Sequence, residues 1–115
     1  MKLCLIAIFK NEGHIINEWI EHYIRQGVDH FFLIDNGSED NYIEVLVPYL
    51  RQRIISLAFD DKRYAQTELY NKHFLEECKA YDWVIVCDLD EFIYARNRPI
   101  KKYLEELPLD VSQVA

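Results

Sequence analysis

Four short apolar runs, none of them alternating with polar residues, most constrain what this chain can fold into. They are Leu3–Phe9, His30–Ile34, Ile54–Phe59 and Trp83–Cys87. A strand with one wet face alternates apolar and polar residues. A continuous run predicts a strand covered on both faces, as in a parallel sheet flanked by helices. The segments between the runs are longer and amphipathic. From about Gly13 to Gln26, residues Ile16, Trp19, Ile20, Tyr23 and Ile24 share one helical face, and Gly27 is placed to end the helix. A second helix is predicted near Asp40–Arg51, capped by Ser38 and striped by Ile43, Leu46, Val47 and Leu50. Pro48 inside it predicts a kink or an early end. A third runs from about Tyr64 to Ala80, with Leu69, Tyr70, Phe74 and Cys78 inward. Pro99 opens a last helix over Ile100–Leu107. Val111–Ala115 is a tail with a strand-like start.

The resulting order, β-α-β-α-β-α-β with a final helix, predicts an α/β fold with an open, mostly parallel, Rossmann-like sheet. The 115 residues allow one domain, 1–115. Half of them are hydrophobic, enough to exclude disorder. No apolar run approaches the roughly 18 residues of a membrane span. Lys10, Asn11 and Glu12 interrupt the first run, so it does not read as a secretory signal. The formal net charge of −7 is the wrong sign for a protein that displaces counterions from nucleic acid. Cys4, Cys78 and Cys87 are odd in number and lack CxxC spacing. They read as reduced thiols in a cytoplasmic protein.

In open parallel sheets, ligands bind beyond the carboxyl ends of the strands. Three polar clusters fall there: Lys10-Asn11-Glu12, Asp35-Asn36-Gly37-Ser38 and Asp88-Leu89-Asp90-Glu91. Three carboxylates within four positions repel each other unless protons or a cation intervene, and such oxygen ligands suit Mg²⁺ or Mn²⁺. The alternative is a solvated acidic turn. Asp35 has two readings as well. It can accept hydrogen bonds from a base or ribose, or it can form an Asx turn with Ser38. Lys62 and Arg63 either reach a phosphate or base or form a solvated basic pair. No phosphate-cradling glycine loop and no nucleophile elbow is present. His14, His22, His30 and His73 lack the spacing of a metal-binding pair, and Trp19, Tyr23, Phe74 and Trp83 stand at core spacings.

Taken together, Lys10-Asn11-Glu12, Glu18-Trp19, Gly27-Val28-Asp29-His30, Asp35-Asn36-Gly37-Ser38-Glu39-Asp40, Asp82-Trp83 and Asp88-Leu89-Asp90-Glu91-Phe92 resemble the N-terminal half of glycosyltransferases of the family 2-like and family 92-like group, which have the GT-A fold. The resemblance implies a nucleoside diphosphate sugar donor, with a UDP-sugar as the first expectation, and Mn²⁺ or Mg²⁺. It implies transfer of a hexosyl-type group to a glycan or lipid-linked glycan. It also implies that Asp90 ligates the metal, that Asp88 sits near the ribose or a metal-bound water, and that Asp35 sits near the base. Asn11 and Glu12 would line the nucleotide pocket, and Glu91 would support the metal shell or the sugar. Gln66 and Asn71 match family positions without an assigned role.

The chain ends 24 residues after Glu91. In the family, the acceptor half lies beyond this point and supplies the catalytic base. The expectation is therefore a C-terminally truncated, donor-binding portion whose catalytic base belongs to the missing part. Two other classes compete with it. One is a non-catalytic assembly module that uses an open sheet edge. The other is a haloacid-dehalogenase-like phosphotransferase with Asp88 as nucleophile, although Phe92 stands where such proteins place Thr or Val.

Overall fold

The computed structural model describes residues 1–63, 66–108 and 110–114. Eight elements follow in order: β1 (Leu3–Phe9), α1 (Ile16–Arg25), β2 (His30–Asp35), α2 (Tyr42–Arg51), β3 (Ile55–Phe59), α3 (Gln66–Cys78), β4 (Trp83–Val86) and α4 (Ile100–Glu105). The four strands form one sheet in the order β3-β2-β1-β4, and every pairing is parallel. The predicted α/β class with an open parallel sheet is therefore the observed one.

β1 lies in the interior of the sheet, and its side chains divide by parity. Leu3, Leu5, Ala7 and Phe9 join Ile16, Trp19, Ile20 and Tyr23 of α1, Tyr42, Leu46 and Tyr49 of α2, and Ile100 and Leu104 of α4 in one core layer. Cys4 and Ile6 face the other way, with Phe32 and Ile34, onto Leu69 and Phe74 of α3. That two-sided cover is why the run carries no polar alternation. The chain moves outward from β1 to β3 on one side and then crosses to β4 on the other. The switch in direction falls between β1 and β4, where open α/β sheets form their ligand crevice.

Several local readings change. α1 begins at Ile16 rather than Gly13, because the Glu12 carbonyl accepts both the Ile15 and Ile16 amides and closes a turn first. Its far end is as expected. Gly27 takes φ 95°, its amide bonds Ile24 O, and the Val28 amide reaches back to Tyr23 O. A side chain at Gly27 would also meet Lys101 Cβ at 2.5 Å, so this glycine is required by packing as well.

α2 presents Tyr42, Leu46 and Tyr49 to the core with Leu50 packed beside them, so Leu46 and Leu50 of the predicted stripe face inward whereas Ile43 is 39% exposed. The two tyrosines bury their rings because each hydroxyl finds a carboxylate, Asp35 for Tyr42 and Glu21 for Tyr49. Pro48 does not end α2. It is exposed, as is Glu44, the residue whose carbonyl it leaves without a helical donor. The predicted start of α3 at Tyr64 lies outside the described residues, as does Ala115. Among described residues, 110–114 form no strand; the Val111 amide turns back onto Pro108 O instead.

The stripe assignment is testable by urea denaturation. Leu46→Ala should cost about 2–5 kcal/mol, whereas Ile43→Ala should stay within about 0.5 kcal/mol.

Candidate functional site

The loops after β1 and β2 are stitched into one unit. Asp35 ends β2 and is 6% exposed. Its Oδ1 accepts the amides of Gly37 (3.2 Å) and Ser38 (2.7 Å), and its Oδ2 accepts the Tyr42 hydroxyl at 2.6 Å. The Asx-turn reading of Asp35 is thus observed. Gly37, at φ 101°, takes the left-handed turn position that other side chains resist. Ser38 does not cap α2. Its hydroxyl accepts the Asn11 amide at 2.9 Å, while Asn11 Oδ1 accepts the Glu39 amide at 2.8 Å. Asn11 holds φ 56°, a left-handed conformation that asparagine tolerates better than most. Gly13 donates its amide to Asp40 at 2.9 Å. Glu12 is half-buried beside this seam, and its carbonyl starts the first turn of α1.

The acidic cluster after β4 is held from beneath by α1. The Trp19 indole donates to Asp88 O (3.1 Å), the Tyr23 hydroxyl donates to Glu91 O (2.8 Å), and the Ile93 amide donates to Tyr23 Oη (3.0 Å). The His22 Nε2–H donates to Ile93 O at 2.6 Å. The Glu91 carboxylate closes the turn by accepting the Asp88 amide at 2.7 Å. Leu89 is buried between the flanking carboxylates, which anchors the turn in the core. Among the described residues, the carboxylates of Asp88 and Asp90 are exposed and make no hydrogen bond or ion pair. Their backbone is fixed while their oxygens stay available.

A second charged centre escaped the sequence reading. Asp60 follows β3 and is 8% exposed. Its Oδ2 is 2.8 Å from both Lys72 Nζ and His73 Nε2, and its Oδ1 accepts the Lys62 amide at 3.1 Å. Hydrogen bonds from Lys72 and then His73 hold the Asp60 carboxyl well below the usual carboxylate range. Asn36 Nδ2 donates to Asp60 O (2.6 Å) and Lys62 O (3.1 Å), tying β2, β3 and α3 together at one end. Asp60, Lys62, Lys72 and His73, with Asp35, Gly37, Phe59 and Asp61, line a cavity of about 500 Å³. Phe59 is 64% exposed at its rim. The available signal was a fourth polar cluster, Asp60-Asp61-Lys62-Arg63, ending a strand on the same sheet edge. No spacing rule links Asp60 to residues 12 and 13 positions later.

The predicted residues therefore fall into two groups. Asn11, Glu12 and Asp35 are joined through Ser38 on one side of the β1 terminus. Asp88, Asp90 and Glu91 form one turn on the other. β2 and β4 flank β1, so the groups stand about two strand spacings, roughly 10 Å, apart. Register places Phe9 opposite Asp35, and Ile6 opposite Val86, two residues before Asp88. Both groups thus reach nearly the same level of the sheet. Among the described residues, no three His, Cys, Asp or Glu side chains converge into a metal cage. The two open carboxylates instead have the donor chemistry of a Mg²⁺ or Mn²⁺ site, in which one or two carboxylates share the ion with phosphate and water.

The sequence matches the family described as Glycosyltransferase family 92 over residues 1–113. It is 26% identical over 99 residues to a glycosyltransferase family 92 protein of Ricinus communis, covering 81% of this chain and 17% of that protein. It is 28% identical over 121 aligned residues to a glycosyltransferase family 92 protein of Oryza sativa subsp. japonica, covering 91% of this chain and 20% of that protein. The chain thus spans about a fifth or less of the length of these relatives.

The depressed Asp60 carboxyl has a pH consequence. The folded chain keeps this group ionised where the unfolded chain, near about pH 3.9, begins to bind a proton. Its stabilising contribution is complete above that range and is lost as pH falls below it. Thermal melts between pH 7 and 3 should show Asp60→Asn less stable at neutrality, with a flatter decline below about pH 4.

Proposed function

The chain belongs to glycosyltransferase family 92, and from that premise we propose that its carboxyl sheet edge binds the nucleoside diphosphate sugar donor of a GT-A-type glycosyl transfer. The observation that carries this reading is the turn at Asp88–Glu91. It presents two uncommitted carboxylates on a backbone clamped by Trp19, His22 and Tyr23, beside the switch point of the sheet.

In this reading Asp90 ligates Mn²⁺ or Mg²⁺, and Asp88 shares the ion's water or the donor ribose. When bound, the ion neutralises charge developing on the departing nucleoside diphosphate. The protein's own contribution is positioning. Glu91 spends its carboxylate on the Asp88 amide and so fixes the spacing of the two aspartates. Asp35, already accepting three hydrogen bonds, shapes the base end of the site rather than presenting an open carboxylate. Asn11 locks the loop between the two ends, and Glu12 lies along the same seam. A separation near 10 Å between the groups suits a nucleoside diphosphate lying across the β1 terminus. A UDP-sugar is the first candidate donor, and a glycan or other glycoconjugate is the acceptor of the whole protein. Among the described residues, no helix is long and apolar enough to cross a membrane.

Isothermal titration with UDP tests the proposal. Binding should require Mn²⁺, disappear with EDTA and weaken at least about ten-fold in Asp90→Ala, the scale of losing a charged contact. Absence of heat with UDP and Mn²⁺, or binding indifferent to Asp90→Ala, overturns it.

A further inference from the structure

Tyr23 carries one oxygen that is committed three times. Its side chain is fully buried in the layer that α1 shares with β1. The hydroxyl donates to Glu91 O at 2.8 Å, and it accepts the Ile93 amide at 3.0 Å and the Cys87 thiol at 3.5 Å. A phenol hydroxyl has one proton and two lone pairs, so its bonding capacity is complete. The neighbouring clamps from α1 make one bond each, the Trp19 indole to Asp88 O and the His22 ring to Ile93 O.

Where the three partners stand in the sequence matters more than their number. Cys87 immediately precedes Asp88, Glu91 immediately follows Asp90, and Ile93 lies where the chain leaves the turn. The two open aspartates therefore lie between residues tied to a single atom. Packing accounts for the ring, which meets Trp19 and His22 edge-on at 5.2 and 4.8 Å between centroids. A phenylalanine would make the same ring contacts. It would leave the Glu91 carbonyl, the Ile93 amide and the Cys87 thiol without that partner at once.

We propose that Tyr23 is a positioning residue for the donor, whose hydroxyl fixes Asp88 and Asp90 at the separation at which they hold the divalent cation and the diphosphate. It acts through the backbone of the turn and touches neither ion nor nucleotide. The assignment rests on the donor-site reading above. It adds one core atom on which the affinity of that site depends.

Tyr23→Phe is the test, and Tyr49→Phe is its control. Tyr49 is also a buried tyrosine with a bonded hydroxyl, but its partner is Glu21 rather than the acidic turn. Parent and both variants are melted without ligand, then titrated with UDP in Mn²⁺ well below their melting temperatures. Both variants should melt lower than the parent. Tyr23→Phe should bind UDP about ten-fold more weakly, the scale of one lost hydrogen bond to the site, while Tyr49→Phe binds as the parent does. Parent-like affinity in Tyr23→Phe overturns the proposal and leaves the donor-site reading intact. An equal loss of affinity in both variants reduces Tyr23 to a packing residue and also overturns it. Should Tyr23→Phe fail to fold, amide hydrogen exchange of the parent decides. Coupling between two sites is reciprocal, so saturation with UDP and Mn²⁺ should slow exchange at the Ile93 amide, and an unchanged rate overturns the proposal. If the parent fails to bind UDP, the donor-site reading falls and this proposal falls with it.

Discussion

The structure depends on the burial of β1 from every side. β2 and β4 bond its two edges, α1 occupies one face and α3 the other. A strand so enclosed cannot shift register without exposing one apolar set and burying a polar one, so its carboxyl end becomes a fixed reference point. The two polar loops take their positions from that point. The seam from Asn11 to Ser38 and the turn from Asp88 to Glu91 stand on opposite shoulders of the same terminus.

α1 serves this arrangement twice. Its inward face is apolar, and the rings of Trp19 and Tyr23 are wholly buried at 5.2 Å between centroids. The polar atoms on those same rings emerge at the far side of the core and hold the acidic turn by its backbone. Large aromatic residues suit this double role, with an apolar body that fills volume and a single polar atom that must find a partner. Fixing the turn through its carbonyls and the Glu91 carboxylate leaves the carboxylates of Asp88 and Asp90 out of the fold's own hydrogen bonding. Asp35 is the contrasting case: its oxygens already accept two amides of its own turn and the Tyr42 hydroxyl.

The strands were legible in the sequence because two-sided burial leaves a plain mark, a run without polar interruption, and Gly27 was legible because few other residues accept φ 95°. The stripe of α2 was read correctly at Leu46 but missed its tyrosines, because periodicity counts tyrosine as half polar, yet Tyr42 and Tyr49 are buried with Asp35 and Glu21 accepting their hydroxyls. Those partners come from β2 and α1, and local pattern cannot see them. The same limit hid Asp60, whose partners Lys72 and His73 arrive from a helix that begins beyond the next loop. The acidic turn was visible as composition, but its clamp was not. Trp19 and Asp88 lie 69 residues apart, and helical spacing alone assigned the tryptophan to packing.

β4 carries the acidic turn and is also the open margin of the sheet. Among the described residues only β1 bonds it, and Val84 and Val86 are exposed. An open margin of this kind is where another strand adds with least resistance, and here it is continuous with the backbone of Asp88. The geometry of β4 and the pose of Asp88 are therefore mechanically linked. The twist of β4 sets the direction in which the backbone of Asp88 leaves the sheet.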